Sequence, residues 1–462
     1  MTRPLTQRLT DDVSRLKTRS VWGRVAAIDQ GVLKIHGLNA VARTGEGVVV
    51  DCHGAAGGQV MGEIVALTAS EAIVYAFDRV DGVRISDRAS LTDVNSIAPC
   101  DGWLGRMVDP LGQAASGSPL PLADEPRRLS AGAPPAALRR GFGSRIACGL
   151  NAFDTFLPIC RGQRIGLFAA PGVGKSSLVA DLATRADADV VVVALIGERG
   201  REVRAFYDHA LNDDVRPRTV IVAASSDQTA PLKKRAALTA MATAERFRDE
   251  GKHVLLLFDS LTRFADAHRE MALAAGETPS LRAYPPSTFQ ALSSLVERAG
   301  AGVDDPDNPN ARSGDITAVF TILAAAGDMD EPVPDAVRGF LDGHVILDRA
   351  IAERGRFPAI DVLRSASRSL PDAATAWEND VLIRARQLLG AYRDGEIMVK
   401  AGLYEQGADP LLDQAVAVFP SLDAFLAGRE GDPETAFGAL ADIVGVADES
   451  NAVAAAGETS DS

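Results

Sequence analysis

The sequence predicts an α/β protein in which a parallel sheet with helices on both faces follows a small β-barrel and precedes a helical domain. Two observations predict this arrangement. Short β-rich runs, punctuated by Gly and Asp roughly every 8–12 residues, fill residues 20–92, a spacing typical of small barrels and sandwiches. Strands and helices then alternate over residues 93–365, as expected of a parallel sheet covered on both faces.

Changes in composition along the chain suggest the domain boundaries. The predicted segments are a helix in residues 1–18, a β-barrel domain in 19–92, an α/β domain in 93–369, a helical domain in 370–447 and a disordered tail in 448–462. The tail is small and polar, a composition that cannot bury a core.

The composition excludes several classes of protein. The chain of 462 residues contains no apolar run long enough to cross a membrane and no apolar signal segment at its start. Its four cysteines are widely spaced, which fits buried thiols in a reducing compartment better than a metal cluster. The net charge of −14 argues against sequence-independent binding of nucleic acid, although a local basic groove can exist within an acidic total.

Residues 1–18 carry an apolar stripe at helical spacing, formed by Leu5, Leu9, Val13 and Leu16. Such a helix either packs on its own domain or docks a partner. The residues alone leave both possibilities open.

The barrel is predicted from five short runs that alternate or cluster apolar residues. The predicted strands are Val21–Ile28, Gly31–Ile35, Gly47–Val50, Gln59–Val65 and Ala72–Phe77. No catalytic constellation occurs among them, so we expect this domain to serve assembly.

The α/β domain is predicted to begin after a linker formed by Gly102–Gly112 and the Pro-rich Ser118–Pro135. Continuous apolar runs then indicate strands buried on both faces. These strands are Arg164–Ala169, Val190–Ile196, Val220–Ala224, His253–Phe258 and Ile316–Leu323, and helices such as Trp377–Ala391 and Leu411–Phe425 follow in the C-terminal domain.

A phosphate-binding loop follows the strand Arg164–Ala169 and precedes a predicted helix, Ser176–Ala186. A Gly-rich turn in this context points backbone N–H groups and a helix N-terminus at one anion. Lys175 can then reach the β- and γ-phosphates, and the Ser176 hydroxyl can bind Mg²⁺. Ala169 stands where the motif has its first Gly, which a strand end tolerates. The candidate nucleotide ligands are Pro171, Gly172, Val173, Gly174, Lys175, Ser176 and Ser177.

Two acidic residues end predicted strands of the same sheet. Asp259 follows five apolar residues and can hold Mg²⁺ directly or through water, or can merely cap the helix Ser260–Ala267. Glu198 lies in Gly-Glu-Arg-Gly-Arg-Glu and can orient and polarise the attacking water. Arg199, Arg201 and Glu202 would fix it through charged contacts, and the alternative is a surface salt-bridge cluster.

Two further candidates lie in the segment Gly355–Arg368. Arg368 can act as an arginine finger that reaches a neighbouring subunit's nucleotide. Phe357 can stack on adenine. From residue type alone, a surface arginine and a core aromatic are the commoner interpretations.

Taken in order, the motifs resemble the rotary-type ATPases related to the catalytic β subunit of ATP synthase, and within them the flagellar protein-export and type III secretion ATPases. The motifs are A-A-P-G-V-G-K-S-S, G-E-R-G-R-E, L-L-L-F-D-S-L-T-R-F-A, S-G-D-I-T, G-D-M-D-E-P-V-P-D and S-A-S-R. The resemblance covers about residues 20–430. It implies a β-barrel N-domain, a RecA-like P-loop ATPase core, a helical C-domain and a homohexameric ring with sites at subunit interfaces.

The resemblance also implies roles for individual residues. Lys175 and Glu198 would be catalytic, Arg199 would support them, Asp259 would be the Walker B residue with Mg²⁺, and Arg368 would act in trans. Phe357 matches an adenine-stacking aromatic. The family's Gly before Tyr284-Pro285-Pro286 is Ala283 here, which puts that loop's conformation in question.

The implied partners are a stator-like regulatory protein bound through residues 1–18, a central-stalk protein, an export gate at the inner membrane and chaperone–cargo complexes. The implied location is cytoplasmic, peripheral to the inner membrane at the flagellar base. The segment Gln406–Ala415 resembles the flagellar branch more than the virulence branch. A RecA-like hexameric RNA motor is the alternative from another class, and the acidic charge and few Trp and Tyr residues disfavour it.

Overall fold

The computed structural model describes residues 21–52, 58–123, 125–210, 213–280, 283–304, 313–324 and 329–447. The predicted helix in residues 1–18 and the predicted tail in 448–462 lie outside the described residues. The described residues divide into two units. One comprises the residues up to Ser96 with 229–231 and 269–278, and the other comprises 97–228, 232–268 and the residues from 279 onward. The domain boundaries expected from the sequence stay predictions.

The first unit contains a closed antiparallel barrel. Its strands are β1 (Trp22–Asp29), β2 (Val32–His36), β3 (Gly47–Asp51), β4 (Gln59–Leu67), β5 (Glu71–Ala76) and β6 (Arg88–Thr92), in the order β1-β2-β5-β4-β3-β6. Residues alternate between the core and the surface along each strand, as in β2, where Leu33 and Ile35 are buried. The strand β6 closes the barrel against β1 and β3. Its Arg, Ser and Thr residues form no apolar run, so the sequence pattern did not predict it.

The second unit is built on a large sheet with the strand order β16-β15-β10-β14-β13-β11-β12-β8. Neighbouring strands are parallel except for β15 and β16. The strands are β8 (Met107–Val108), β10 (Arg164–Ala169), β11 (Val190–Glu198), β12 (Thr219–Ser225), β13 (His253–Asp259), β14 (Asp315–Leu323), β15 (Gly343–Leu347) and β16 (Ala366–Ser367).

Both faces of this sheet are buried, as the continuous apolar runs predict. In β11, Val191, Val193 and Leu195 belong to one core cluster. The intervening Val190 and Val192 belong to the other cluster, on the opposite face. The α/β architecture expected from the sequence is therefore confirmed, with helices covering both faces.

The helices that follow residue 150 vary greatly in length. They are α1 (Asn151–Asp154), α2 (Lys175–Arg185), α3 (Gly200–Ala205), α4 (Ala230–Asp249), α5 (Leu261–Ala274), α6 (Pro286–Val296), α7 (Pro332–Phe340), α8 (Arg349–Glu353), α9 (Ala376–Lys400), α10 (Pro410–Leu426) and α11 (Pro433–Val444). The last three pack on one another and on the core cluster of one sheet face. A capping box between Thr375 and Glu378 sets the start of α9.

The predicted linker contains structure that the sequence did not reveal. The strand β8 pairs with β12 at the edge of the large sheet, and β9 (Arg127–Arg128) pairs with β7 (Ser96–Ile97). Trp103, within the same segment, is fully buried. Two-residue strands are too short to produce a detectable periodicity.

The cysteines are free thiols, and Cys52, Cys148 and Cys160 are buried as expected. The expectation was wrong for Cys100, which is partly exposed. Among the described residues, no helix combines the length and the apolar character needed to cross a membrane.

Candidate active site

The phosphate-binding loop joins the carboxyl end of β10 to the N-terminus of α2. Gly172 and Gly174 adopt φ angles of 83° and 91°, a region that favours glycine. Val173 between them is buried and anchors the loop in the core, while Pro171 and Gly172 are exposed. The loop therefore presents backbone N–H groups and the start of α2 to the surface, which is the arrangement that binds phosphate.

Ala169 replaces the first glycine of the motif without distorting the loop. It is the last residue of β10 and pairs with Leu323 and Leu347 of the flanking strands. It is buried and has an ordinary φ angle. A strand position of this kind needs no glycine, as the sequence suggests.

Three charged side chains meet beside the loop. The amino group of Lys175 contacts the carboxylate of Asp259 and lies 3.6 Å from Glu198 Oε1. Asp259 is only 3% exposed, and its Oδ1 also accepts a hydrogen bond of 2.6 Å from the hydroxyl of Thr321. The charges come together because β10, β11 and β13 are parallel strands of one sheet, so the segments after them share one edge.

Thr321 is a site residue that the sequence analysis missed. It lies in β14, next to β13, and is fully buried. A threonine inside an apolar strand carries no sequence signal for a polar contact.

The environment of Glu198 raises the pKa of its carboxyl group. Burial is the main cause, the negative charge of Asp259 adds to it, and the positive charge of Lys175 opposes both. Glu202 raises the pKa further through a hydrogen bond and its charge. A carboxylate with a raised pKa is a stronger base, which suits a group that accepts a proton from water.

The same residues face a cavity of about 310 Å³. Its polar lining consists of Ser176, Ser177, Glu198, Glu202 and Asp259. Val203 and Phe206 contribute apolar walls. The hydroxyl of Ser176 and the carboxylate of Asp259 are hard oxygen donors of the kind that Mg²⁺ prefers, so the donor set fits that ion.

Arg199 lies outside this cavity lining. Its side chain is 69% exposed, and its Nη1 lies 3.6 Å from Glu202 Oε1. It occupies the position that precedes α3. Arg199 therefore acts on the Glu198 side chain indirectly, by contacting Glu202, which in turn contacts Glu198.

Phe357 lies against the phosphate-binding loop. A Cβ atom added to Gly174 would lie 3.2 Å from Cδ1 of the Phe357 ring. Phe357 as a residue is 48% exposed. An aromatic face that is half exposed beside a phosphate site can stack on a planar base. The structure therefore brings Phe357 to the loop, although the two are far apart in sequence.

Arg368 lies at the amino ends of the parallel strands, whereas the loop lies at their carboxyl ends. It follows β16, and its backbone N–H donates to the carbonyl of Asp342, just before β15 begins. Asp342 in turn binds the start of β10 at Arg164. The strand β10 spans five residue steps of about 3.3 Å each, so its amino and carboxyl ends are about 17 Å apart. Arg368 and Lys175 of one chain therefore do not share one site.

A second cavity of about 510 Å³ surrounds Arg368. Asp335, Arg338 and His344 also line it. Burial is the main cause that lowers the pKa of His344, and the positive charges of Arg338 and Arg368 add to this effect. Asp335 lies 3.3 Å from Arg338 and offsets part of the positive charge, so the cavity is a cationic recess whose net charge is only weakly positive.

Ala283, the departure from the family's glycine, keeps the backbone conformation that glycine favours. Its φ angle is 69°, and its N–H donates to the carbonyl of Ser280 at 3.2 Å. The turn before α6 therefore forms with alanine, at some cost in backbone strain.

The raised pKa of Glu198 leads to a prediction about stability. We expect Glu198→Gln to raise the free energy of unfolding at pH 8 by about 1 kcal/mol, the scale of a stabilising change at a functional site. The pKa of this carboxyl group is higher in the folded protein than in the unfolded protein. At pH values between those two pKa values, the folded protein therefore binds more protons than the unfolded protein. Stability is therefore lost as the pH rises through that window, and the amide avoids the loss.

Denaturant unfolding of the wild type and the variant from pH 4 to pH 8 measures this difference. The advantage of Glu198→Gln should shrink toward zero as the pH falls toward 4, where the wild-type carboxyl group is protonated. Glu353→Gln, at an exposed carboxylate paired with Arg349, is the control and should show no such trend. A difference between Glu198→Gln and the wild type that stays constant with pH would contradict the electrostatic cause.

Comparisons with known proteins identify the family and agree with the fold. Residues 149–367 match the ATP synthase alpha/beta family, nucleotide-binding domain, and residues 376–441 match the T3SS EscN ATPase C-terminal domain. The chain is 40% identical over 437 residues to a flagellum-specific ATP synthase of Caulobacter vibrioides, covering 94% of this chain and 98% of the relative.

A type III secretion ATPase is equally similar in identity. The SPI-2 type 3 secretion system ATPase of Salmonella typhimurium is 40% identical over 370 residues, or 80% of this chain and 83% of the relative. The structure of the assembled ATPase EscN from enteropathogenic E. coli matches with a TM-score of 0.84 and 34% identity, covering 91% of this chain and all of EscN. The chain therefore belongs to the flagellar and type III secretion ATPases of the ATP synthase alpha/beta family, and it is an ATPase.

Proposed function

We propose that this chain is the catalytic subunit of a homohexameric ring that hydrolyses ATP and energises export of flagellar proteins. The observation that carries the proposal is the meeting of Lys175, Glu198 and Asp259 beside a phosphate-binding loop. The names of its relatives support the biological role, since the Caulobacter relative is a flagellum-specific ATP synthase.

The loop and the sheet edge supply the parts for phosphoryl transfer. Backbone N–H groups of the loop and the amino group of Lys175 bind the phosphates and offset their charge. Ser176 and Asp259 would hold Mg²⁺, which supplies Lewis-acid stabilisation of the transferring phosphoryl group when bound. Glu198 orients the attacking water and accepts its proton, and its raised pKa favours that task.

Arg368 completes the site of a neighbouring subunit. It cannot serve the nucleotide of its own chain, because it lies at the far edge of the sheet, in a cationic recess. A ring of identical chains brings the recess of one subunit against the loop of the next, as a heterologous interface does. Arg368 then offsets the charge that develops on the transferring phosphoryl group. The structure of EscN, which is described as assembled, supports a ring.

Other residues act at the margins of the site. Phe357 stacks on the adenine base beside the loop, and Arg199 holds Glu202, which contacts Glu198. Ser177 and the backbone N–H groups of Val173 and Gly174 complete the contacts to the nucleotide, and Pro171, which has no N–H, shapes the start of the loop.

The partners follow from the same family. EscN has been solved in complex with its central stalk EscO, and we infer a central-stalk protein for this ring as well. A stator-like regulator bound through residues 1–18, an export gate and chaperone–cargo complexes complete the proposed assembly. It would work in the cytoplasm, at the inner-membrane base of the flagellum. A virulence-type secretion ATPase is the second candidate, since the Salmonella relative is as similar in identity.

The role of Glu198 is tested by Glu198→Gln, which keeps the shape of the side chain and removes its basicity. We expect turnover to fall on the order of a thousandfold, the usual contribution of a positioned general base. ATP binding, measured with a fluorescent nucleotide, should persist because the loop is unchanged. Phosphate release near the wild-type rate would contradict the assignment, and Glu353→Gln serves as the matched control.

The role of Arg368 is tested by Arg368→Ala. Turnover should fall on the order of a thousandfold, since arginine fingers contribute about that much, while nucleotide binding is retained. Arg349→Ala, at an exposed arginine that pairs with Glu353, is the control and should leave both unchanged. Loss of nucleotide binding in Arg368→Ala would instead indicate a structural role.

A further inference from the structure

Arg356 is a buried arginine next to the residue that lies against the phosphate-binding loop. It directly precedes Phe357, and only 8% of it is exposed. A buried guanidinium is costly unless its donors are satisfied and its charge is paired. Its contacts therefore show what it holds in place.

The guanidinium of Arg356 joins two parts of the segment that follows Phe357. Its Nη1 donates to the carbonyl of Pro358 at 3.2 Å, and its Nη2 donates to the carbonyl of Ile360 at 2.9 Å. Two hydrogen bonds from one planar group hold these carbonyls at a set spacing. The backbone on the C-terminal side of Phe357 is thereby fixed.

The charge of Arg356 is balanced from the C-terminal helices. Its Nε lies 2.9 Å from Oδ1 of Asp423 in α10, although the N–H is not directed at the oxygen well enough for a hydrogen bond. Burial lowers the pKa of Arg356, and the charge of Asp423 opposes that effect most strongly. The contact is therefore an ion pair that keeps the buried guanidinium charged.

Asp423 is carried by a well-fixed element. Tyr392 of α9 and Phe419 of α10 stack with ring centroids 3.6 Å apart. Both rings, together with Arg356 and Asp423, line a cavity of about 220 Å³. The position of Asp423 thus depends on how α9 and α10 pack.

We propose that Arg356 is a positioning residue for Phe357 and that Asp423 holds it, so that the C-terminal helices set the affinity of the site for the adenine base. The contacts form a continuous path from Asp423 through Arg356 and Phe357 to Gly174. This inference rests on the proposed stacking of Phe357 on adenine. Phe357 touches the loop at Gly174, but β10 and α2 set the conformation of the loop. Loss of Arg356 should therefore weaken binding of the base and leave binding of the phosphates unchanged.

The experiment compares a ligand that has the base with one that lacks it. We expect Arg356→Gln to raise KM for ATP about tenfold, within the range for one base–aromatic stack, with kcat within about twofold of the wild type. The inhibition constant of inorganic tripolyphosphate, which has no base, should be unchanged.

Two milder variants should give smaller effects. Asp423→Asn should raise KM less than Arg356→Gln does. The KM of Arg356→Lys should lie between those of Arg356→Gln and the wild type, because lysine keeps the charge but only part of the hydrogen bonding. Arg349→Gln, on the neighbouring helix α8, is the control and should leave KM and the inhibition constant unchanged.

Each alternative outcome has a distinct meaning. An unchanged KM in Arg356→Gln, with a raised KM in Phe357→Ala, would overturn the inference and leave the adenine role of Phe357 intact. An unchanged KM in Phe357→Ala would overturn that role. A parallel rise in KM and in the tripolyphosphate inhibition constant would make Arg356 a general structural residue, also against the inference. If Arg356→Gln fails to fold, Asp423→Asn decides, because its side chain is one-third exposed.

Discussion

The contact between Lys175 and Asp259 is the interaction on which the rest of the site depends. It joins the phosphate-binding loop to the central strand β13 across a buried position, where a lone charge of either sign would be costly. Thr321 gives the carboxylate a second partner from the neighbouring strand. Glu198 is placed near this pair by the neighbouring strand. Burial and the charge of Asp259 raise its pKa, while the charge of Lys175 opposes them. The phosphate-binding loop, Asp259 and Glu198 thus share one electrostatic arrangement.

The two ends of the parallel strands differ in chemistry. The carboxyl ends of β10, β11 and β13 carry the loop and the acidic residues, while the amino ends of β10 and β15 lie beside Arg368 and its cationic recess. The length of the strand β10 separates these two ends by about 17 Å. We propose that each chain carries two incomplete halves of a site and that the ring unites them. The C-terminal helices touch this system through Arg356, beside Phe357.

Much of this arrangement could be predicted from the sequence, because each acidic site residue ends a continuous apolar strand and the loop has an explicit motif. Parallel strands then place those ends at one edge without further information. Thr321 could not be predicted, since a threonine within β14 looks like any strand residue. The pair of Arg356 and Asp423 joins positions far apart in sequence, and no local pattern records such a contact. The strands β6 and β8 escaped prediction because one is polar and the other has two residues.

If each working site is shared by two subunits, rings that mix two defective variants should regain activity. Subunits carrying Lys175→Ala lack a working loop but keep Arg368, and subunits carrying Arg368→Ala have the reverse defect. Rings assembled at random from equal amounts should contain intact interfaces at about one in four positions, since each interface pairs two independent choices. The mixture should hydrolyse ATP at a rate well above that of either variant alone. A mixture no more active than its separate components, with mixed rings demonstrated by native mass spectrometry, would contradict it.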